Sequence, residues 1–237
     1  MLLSLLSGGN LRTIIVSILL TLPVILFALT IHETAHGYIA YKCGDRTAYN
    51  LGRLTLNPVK HLDPIGFLAM LIFGFGWAKP VPINTRNFRN PKRGMALSAL
   101  AGPMANMILG VLSAVAAGFF YVLYFRLSLT LKAELPVTFV YWTSQLFFIS
   151  AEINLLFMAF NLIPCPPFDG SRIALAFLPT HTYFRIMRYE RQIMLGVLIA
   201  VMVLSRYGYS PFSWISETLT YGIADAVIPL FQSILLA

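Results

Sequence analysis

The sequence predicts an all-α polytopic membrane protein. It has a three-helix core, further transmembrane helices behind it, and a short re-entrant or β-hairpin element between the first two core helices. Three observations predict this. Of 237 residues, 58% are hydrophobic and 11% charged, and mean hydropathy is +0.76, far from the balance of a soluble globule. Long runs with almost no charge recur along the chain, each with the ~20 residues needed to cross ~30 Å of hydrocarbon. The basic residues collect between those runs and accompany no base-reading motif. The net charge of +8 is therefore a topology signal, and no nucleic-acid partner is expected. The two cysteines, Cys43 and Cys165, form no disulfide framework, and both fall on the side assigned below to the cytosol.

The first span opens at Arg12 and is uncharged for eighteen residues, Thr13 to Thr30. It is too long for the apolar region of a signal peptide, and no small-residue cleavage site closes it, so a retained span is expected. Pro23 is a candidate kink. The run leads into Ile31-His32-Glu33-Thr34-Ala35-His36-Gly37 and resumes with Tyr38-Ile39-Ala40-Tyr41. On a helix, residues four apart share a face, so His32 and His36 present imidazoles whose Cβ atoms lie about 5–6 Å apart, a span that one Zn²⁺ can bridge. Glu33 then sits beside the metal, where a carboxylate can take a proton from water and pass it to a leaving amine. This is the pattern of a zinc peptidase. A pair of histidines at the wet end of a helix is the plainer alternative. Against it, His36 lies about 9 Å inside a helix that continues to Lys42, a depth at which ionisable groups are costly.

From Lys42 to Arg93 the chain carries nine lysines and arginines against Asp45 and Asp63, which makes this loop cytosolic and the amino terminus external. Within it, Ile65 to Trp77 is apolar but too short to span and is interrupted by Gly66, Gly74 and Gly76, as a re-entrant or interfacial hairpin would be. Lys79-Pro80-Val81-Pro82 continues it with the alternation of an edge strand, on which an extended substrate could add. An ordinary interfacial loop is the alternative.

The second span, Gly94 to Phe125, places Gly94, Ser98, Gly102, Asn106, Gly110, Ala114 and Gly118 four residues apart, a stripe on which another helix can approach closely. Asn106 interrupts the stripe, either as a donor to a substrate carbonyl or oxyanion or as one end of an interhelical hydrogen bond. The third span, Val137 to Ile163, returns to the cytosol and holds Glu152 and Asn154. A carboxyl at that depth needs a partner, and a helix–helix contact is the reading preferred for Glu152. Pro164, Pro166 and Pro167 then break the helix. Non-helical backbone at membrane depth marks a site, not a lipid-facing bend. Asp169 opens the next helix, predicted over Ser171 to Leu178. A carboxylate there could cap the helix, yet it reaches the leaflet of His32 and His36, which need one more ligand, so Asp169 is assigned as that third ligand.

These motifs together resemble the site-2 protease family of intramembrane zinc metalloproteases. The resemblance rests on His32 to His36, on Ala101-Gly102-Pro103-Met104-Ala105-Asn106, on Asn161 through Gly170, and on Phe75 through Pro82 as the hairpin. It covers about residues 14–178, which form the metalloprotease core. It implies one Zn²⁺ per chain on His32, His36 and Asp169, Glu33 as catalytic acid/base, Asn106 near the substrate, and Asn161 as support of the active-site turn or a further substrate contact. Two departures appear: Cys165 stands where an aliphatic residue is expected, and Ser171 stands where a glycine is common. No stretch between the spans is long enough for an inserted PDZ or CBS domain, so one peptidase domain over 1–237 is expected, of the minimal bacterial or archaeal type.

Past the core, Arg185, Arg188 and Arg191 fall on the cytosolic side, and Ile193 to Leu204 with its flanks is expected to span. Trp214 to Leu236 carries Glu217 and Asp225 and is either a span or an interfacial helix. His61 and His181 lack partners at metal-binding spacing. The function implied is regulated intramembrane proteolysis: peptide bonds of transmembrane substrates cut in or near the bilayer, in the cell membrane, with the active site towards the cytosol. A regulatory membrane partner or a homo-oligomer stays open. So do two other classes, a metal transporter or sensor for which Glu33 is dispensable, and a silent scaffold that retains clients.

Overall fold

The computed structural model describes residues 10–73, 76–131, 133–174, 177–206 and 211–235. Helix α1 (Leu11–Lys42) starts where Asn10 accepts from the Arg12 N–H at 2.9 Å, and it runs through Pro23 to its end. At Gly44, with φ +116°, the chain turns back so tightly that a Cβ would lie 3.0 Å from the Asn87 carbonyl oxygen. A short helix α2 (Thr47–Asn50) and a 3₁₀ turn at Pro58–His61 follow.

Helix α3 (Pro64–Phe73) begins where Asp63 accepts from the Gly66 N–H at 2.8 Å. With ten residues it reaches ~15 Å, half the hydrocarbon thickness, as expected of an element that does not span. The β-hairpin is not found. Among the described residues there is no strand, only an antiparallel bridge between Leu62 and Ala78 beside a hydrogen bond from the Lys79 N–H to the His61 carbonyl at 2.8 Å. Pro80 and Pro82 have no N–H, so the ladder stops. Residues 74 and 75, part of the predicted hairpin, lie outside the described residues.

Helix α4 (Pro91–Thr130) is capped by Asn90, with Pro91 in its first turn, and helix α5 (Glu134–Asn161) runs back along it. The stripe read from the sequence is buried at every position, but its members face different partners. A Cβ on Gly94 would meet Phe88, on Gly110 Leu155 of α5, on Gly102 the two histidines, and on Gly118 Val227 further on. Helices α6 (Asp169–Ala174), α7 (Thr180–Met187), α8 (Glu190–Arg206) and α9 (Pro211–Leu235) complete the chain. Helix α6 starts two residues earlier than the sequence predicts, and residues 175 and 176 of the predicted Ser171 to Leu178 helix lie outside the described residues.

Among the described residues, four helices are long and apolar enough to cross a membrane: α1, α4, α5 and, from Trp214, α9. Their directions follow from contacts. His36 meets Ser98 while Ala28 meets Asn106, so α1 and α4 are antiparallel. Gly110 faces Leu155 while Ser144 bonds Ala117, so α4 and α5 are antiparallel. Phe119 stacks edge-on to Phe231 at 5.4 Å and Arg126 donates to the Leu235 carbonyl, so α9 runs parallel to α4. Its buried Ser216, Thr220 and Ala224 turn inward on one face.

The span expected at Ile193 to Leu204 falls in α8, which is not among these four helices. Helix α5 ends, and α9 begins, on the same face of the bundle. The five peptide steps from Arg206 to Pro211 cover at most about 19 Å, too little to recross the hydrocarbon. Helix α8, 17 residues long, therefore ends on the face where α9 begins. Glu152 on α5 lies within electrostatic reach of Glu217 and Tyr221 on α9.

Candidate metal centre

The centre is built from two helices and a turn. Successive turns of α1 bring His32 and His36 to one face, their rings edge-to-face with centroids 4.5 Å apart. Both Nε2 atoms lie 3.1 Å from Oδ2 of Asp169, the first residue of α6. The turn that delivers Asp169 is held by Phe160 against Phe168 at 4.2 Å and by Gly170, where a Cβ would lie 2.3 Å from the Ile163 carbonyl.

The tautomers follow from partners that can only accept. His36 Nδ1 faces the Ser98 carbonyl at 2.7 Å, so Nδ1 carries the proton. For His32 the argument takes two steps. Asn106 Nδ2 donates to the Ala28 carbonyl at 3.3 Å and to Asn154 Oδ1 at 2.8 Å, which fixes the amide so that Oδ1 faces His32 Nδ1 at 2.5 Å. His32 Nδ1 therefore donates. Both Nε2 lone pairs are left to converge with one carboxylate oxygen, and each imidazole is steered by its other nitrogen.

These residues fit a zinc ion. Tetrahedral bonds of about 2.0–2.1 Å separate donor atoms by about 3.3 Å, close to the 3.1 Å separations here, and two nitrogens with one oxygen leave a position open. Gly102 supplies room. A Cβ at that position would lie 2.5 Å from His36 Nε2 and 2.6 Å from His32 Nε2, against both donor atoms.

Glu33, half-buried one residue after His32, accepts from the backbone N–H of Val81 at 2.7 Å. Thr34 donates to the Thr55 carbonyl at 2.9 Å, which also receives His61 Nε2 at 2.9 Å. Of the other candidates, Asn106 takes the interhelical hydrogen-bond role, one of the two expected of it. Asn106 is fully buried, and both its amide hydrogens are used inside the bundle, so it faces His32 and not a substrate. Asn161 turns its amide back to the Phe157 carbonyl at 3.0 Å. In the segment predicted to receive a substrate strand, Lys79 and Val81 spend their N–H groups on His61 and Glu33, and Pro80 and Pro82 have none. What that edge can offer an extended peptide is carbonyl oxygens. Asn154, Ser98 and Asp45 were not singled out as site-supporting residues by sequence. For Asn154 a signal existed, an amide at membrane depth.

Residues 20–205 match the profile of Peptidase family M50. The chain belongs to this family. The site-2 protease resemblance is thereby established. The "Putative zinc metalloprotease YwhC" of Bacillus subtilis is 44% identical over 149 residues, 63% of this chain and 64% of that protein. Two proteins of the same designation, Rip2 of Mycolicibacterium smegmatis and MJ0611 of Methanocaldococcus jannaschii, are 29% identical over 150 residues and 28% over 143, covering 61% and 60% of this chain and 52% and 62% of theirs. The chain thus spans about half to two thirds of the length of these relatives. No solved structure matches it significantly.

Proposed function

We propose that this chain is a zinc-dependent endopeptidase that hydrolyses peptide bonds within or next to transmembrane segments of membrane proteins. The observation that carries this reading is the convergence of His32 Nε2, His36 Nε2 and Asp169 Oδ2, with both Nδ1 atoms tied off and a carboxylate, Glu33, one residue away. His32, His36 and Asp169 would hold one Zn²⁺, which supplies Lewis acidity for the scissile carbonyl and makes water acidic near neutral pH.

Glu33 takes the proton of the attacking water as oxygen bonds to the carbonyl carbon, then delivers it to the nitrogen as the C–N bond breaks. Asn106 and Ser98 hold the Nδ1 protons of the ligating histidines, which leaves each Nε2 lone pair for the metal. A helical substrate hides its carbonyls in its own hydrogen bonds, so it must unwind to reach Glu33. The exposed Lys79 and Pro80 border the approach, and their carbonyl side is where an extended peptide could pair. By the basic loop, the centre lies towards the cytosolic face. Release of a membrane-tethered protein, as in regulated intramembrane proteolysis, is the process such chemistry serves.

The test is cleavage of a single-pass substrate in proteoliposomes by wild type and by Glu33→Gln. The variant should keep its zinc and lose at least ~10²-fold in rate, the low end for general acid–base catalysis. A variant that still cleaves refutes the assignment. Zinc flux that requires the histidines and ignores Glu33 would instead mark a transporter.

A further inference from the structure

Glu33 is tied to a segment remote in sequence, and that segment is tied back to the helix that carries Glu33. The Val81 N–H lies 2.7 Å from Glu33 Oε2. Val81 is buried, and its Cγ1 would stand 2.9 Å from a Cβ at Gly37, one helical turn after Glu33, so Gly37 lets the segment lie close against α1. Since Pro80 and Pro82 have no N–H, Val81 is the sole backbone donor between Lys79 and Ile83. Both ends of this short stretch are fixed. Lys79 donates its N–H to the His61 carbonyl at 2.8 Å and accepts from the Arg53 guanidinium at 2.8 Å. Asn84 donates its N–H to Asp45 Oδ2 at 2.7 Å, and the Asn87 side chain donates to Asp45 Oδ1 at 2.9 Å. Asp45 itself is fully buried three residues beyond the end of α1, with Thr47 donating to it from backbone and side chain.

We propose that the Val81 N–H is a positioning group for the Glu33 carboxylate, and that Asp45 is the positioning residue that aims it. This rests on the peptidase reading of Glu33. A glutamate has three rotatable bonds, and without a partner its carboxylate samples several directions. A donor held at 2.7 Å on Oε2 fixes the carboxylate plane and reserves Oε1 for water. The prolines stiffen the carrier and leave it no other N–H. Asp45 sets the register, because α1 presents Glu33 at one point of the segment and the turn that follows α1 presents Asp45 at another. The clamp acts on the acid/base, not on the metal, so it should govern turnover and leave zinc affinity and substrate binding alone.

The test compares wild type, Glu33→Gln, Val81→Pro, Val81→Ala, Asp45→Ala and Asp45→Asn, each as the full chain in proteoliposomes, with kcat, KM and bound zinc measured for each. Val81→Pro removes the one N–H. It should fall about 100-fold in kcat relative to Val81→Ala, which keeps the N–H and loses packing alone; misplacing a reacting group by ~1 Å has an effect of that order. KM and zinc content should not separate the two. Asp45→Ala should lower kcat in the same way, and Asp45→Asn, which keeps an acceptor oxygen, should recover part of the loss. A Val81→Pro enzyme as fast as Val81→Ala overturns the proposal. So does a rise in KM at constant kcat, which would make the segment a substrate site. If Val81→Pro does not fold, the Asp45 pair decides by the same criteria. A wild type that cleaves nothing, under conditions where it binds zinc, defeats the peptidase reading and this inference together; an active wild type with insensitive Val81 and Asp45 variants defeats the inference alone.

Discussion

Substitution of Asn106 by alanine separates its two jobs. It removes the acceptor that holds His32 Nδ1–H at 2.5 Å and the donors to Asn154 Oδ1 and the Ala28 carbonyl, all in a fully buried position on α4. Losing a group that orients a metal-ligating histidine typically costs 10–100-fold in metal affinity, about 1.4–2.7 kcal/mol. The lost interhelical hydrogen bonds, at about 0.6 kcal/mol each in a membrane interior, add roughly 1–2 kcal/mol of bundle stability. Asn106→Asp keeps an oxygen for His32 Nδ1 and loses the Nδ2 donors, so it should destabilise the bundle and spare zinc. The assay is zinc titration of detergent-solubilised protein against a competing chelator, alongside thermal melting of the zinc-free form. Wild-type zinc affinity in Asn106→Ala would refute the orienting role. So would an aspartate variant that loses as much zinc as the alanine variant, because the argument turns on the acceptor oxygen.

Other consequences can be checked with the same preparations. Gly102→Ala would put a methyl 2.5–2.6 Å from both Nε2 atoms, so zinc occupancy should collapse while helicity by circular dichroism stays near wild type; normal occupancy would mean the donors do not converge there. Asp169→Ala should lower zinc occupancy about as strongly as His36→Ala, and unchanged metal content would remove Asp169 from the centre. Asp45 is buried, which opposes its charge, but its hydrogen bonds from Thr47, Asn87 and Asn84 hold its carboxyl below the usual carboxylate range. A carboxyl lower in the folded than in the unfolded chain adds stability above the unfolded value and loses it as pH falls through that value towards the folded one. Melting temperature should therefore drop more steeply in wild type than in Asp45→Asn between about pH 5 and pH 3. Single cysteines at Arg188 and at Arg206, in a background lacking Cys43 and Cys165, should label from the same side of sealed vesicles; labelling from opposite sides would make α8 a span.

What could be read from the sequence was what is local or periodic. His32, Glu33 and His36 lie within one helical turn and a residue, so their shared face follows from helix geometry alone, and the four-residue stripe of α4 is buried because the same geometry governs it. Periodicity gives the face of a residue and not its partner. Asn106 falls correctly into the buried stripe, yet its partners, His32 and Asn154, are 74 and 48 residues away, and only their arrangement turns a candidate oxyanion donor into a support for His32. The span expected at Ile193 to Leu204 meets a related limit. An apolar run reports affinity for lipid, and whether a helix crosses depends on where its neighbours begin and end, which here is set by α9 running parallel to α4.

The hairpin shows the same limit most sharply, and it bears on mechanism. Alternation through Lys79-Pro80-Val81-Pro82 is a strand signal, but a strand used for pairing needs spare donors and acceptors on its edge. Two prolines leave two N–H groups over these four residues, and the fold spends one on His61 and the other on Glu33. A segment that looked like a docking edge for substrate is therefore committed inward through its donors. The same two prolines that argue for an edge also make Val81 the one donor that Glu33 can meet. Pairing with substrate through carbonyls and aiming of the acid/base through an N–H are thus compatible on one short stretch. The sequence feature common to both is the proline spacing rather than the alternation.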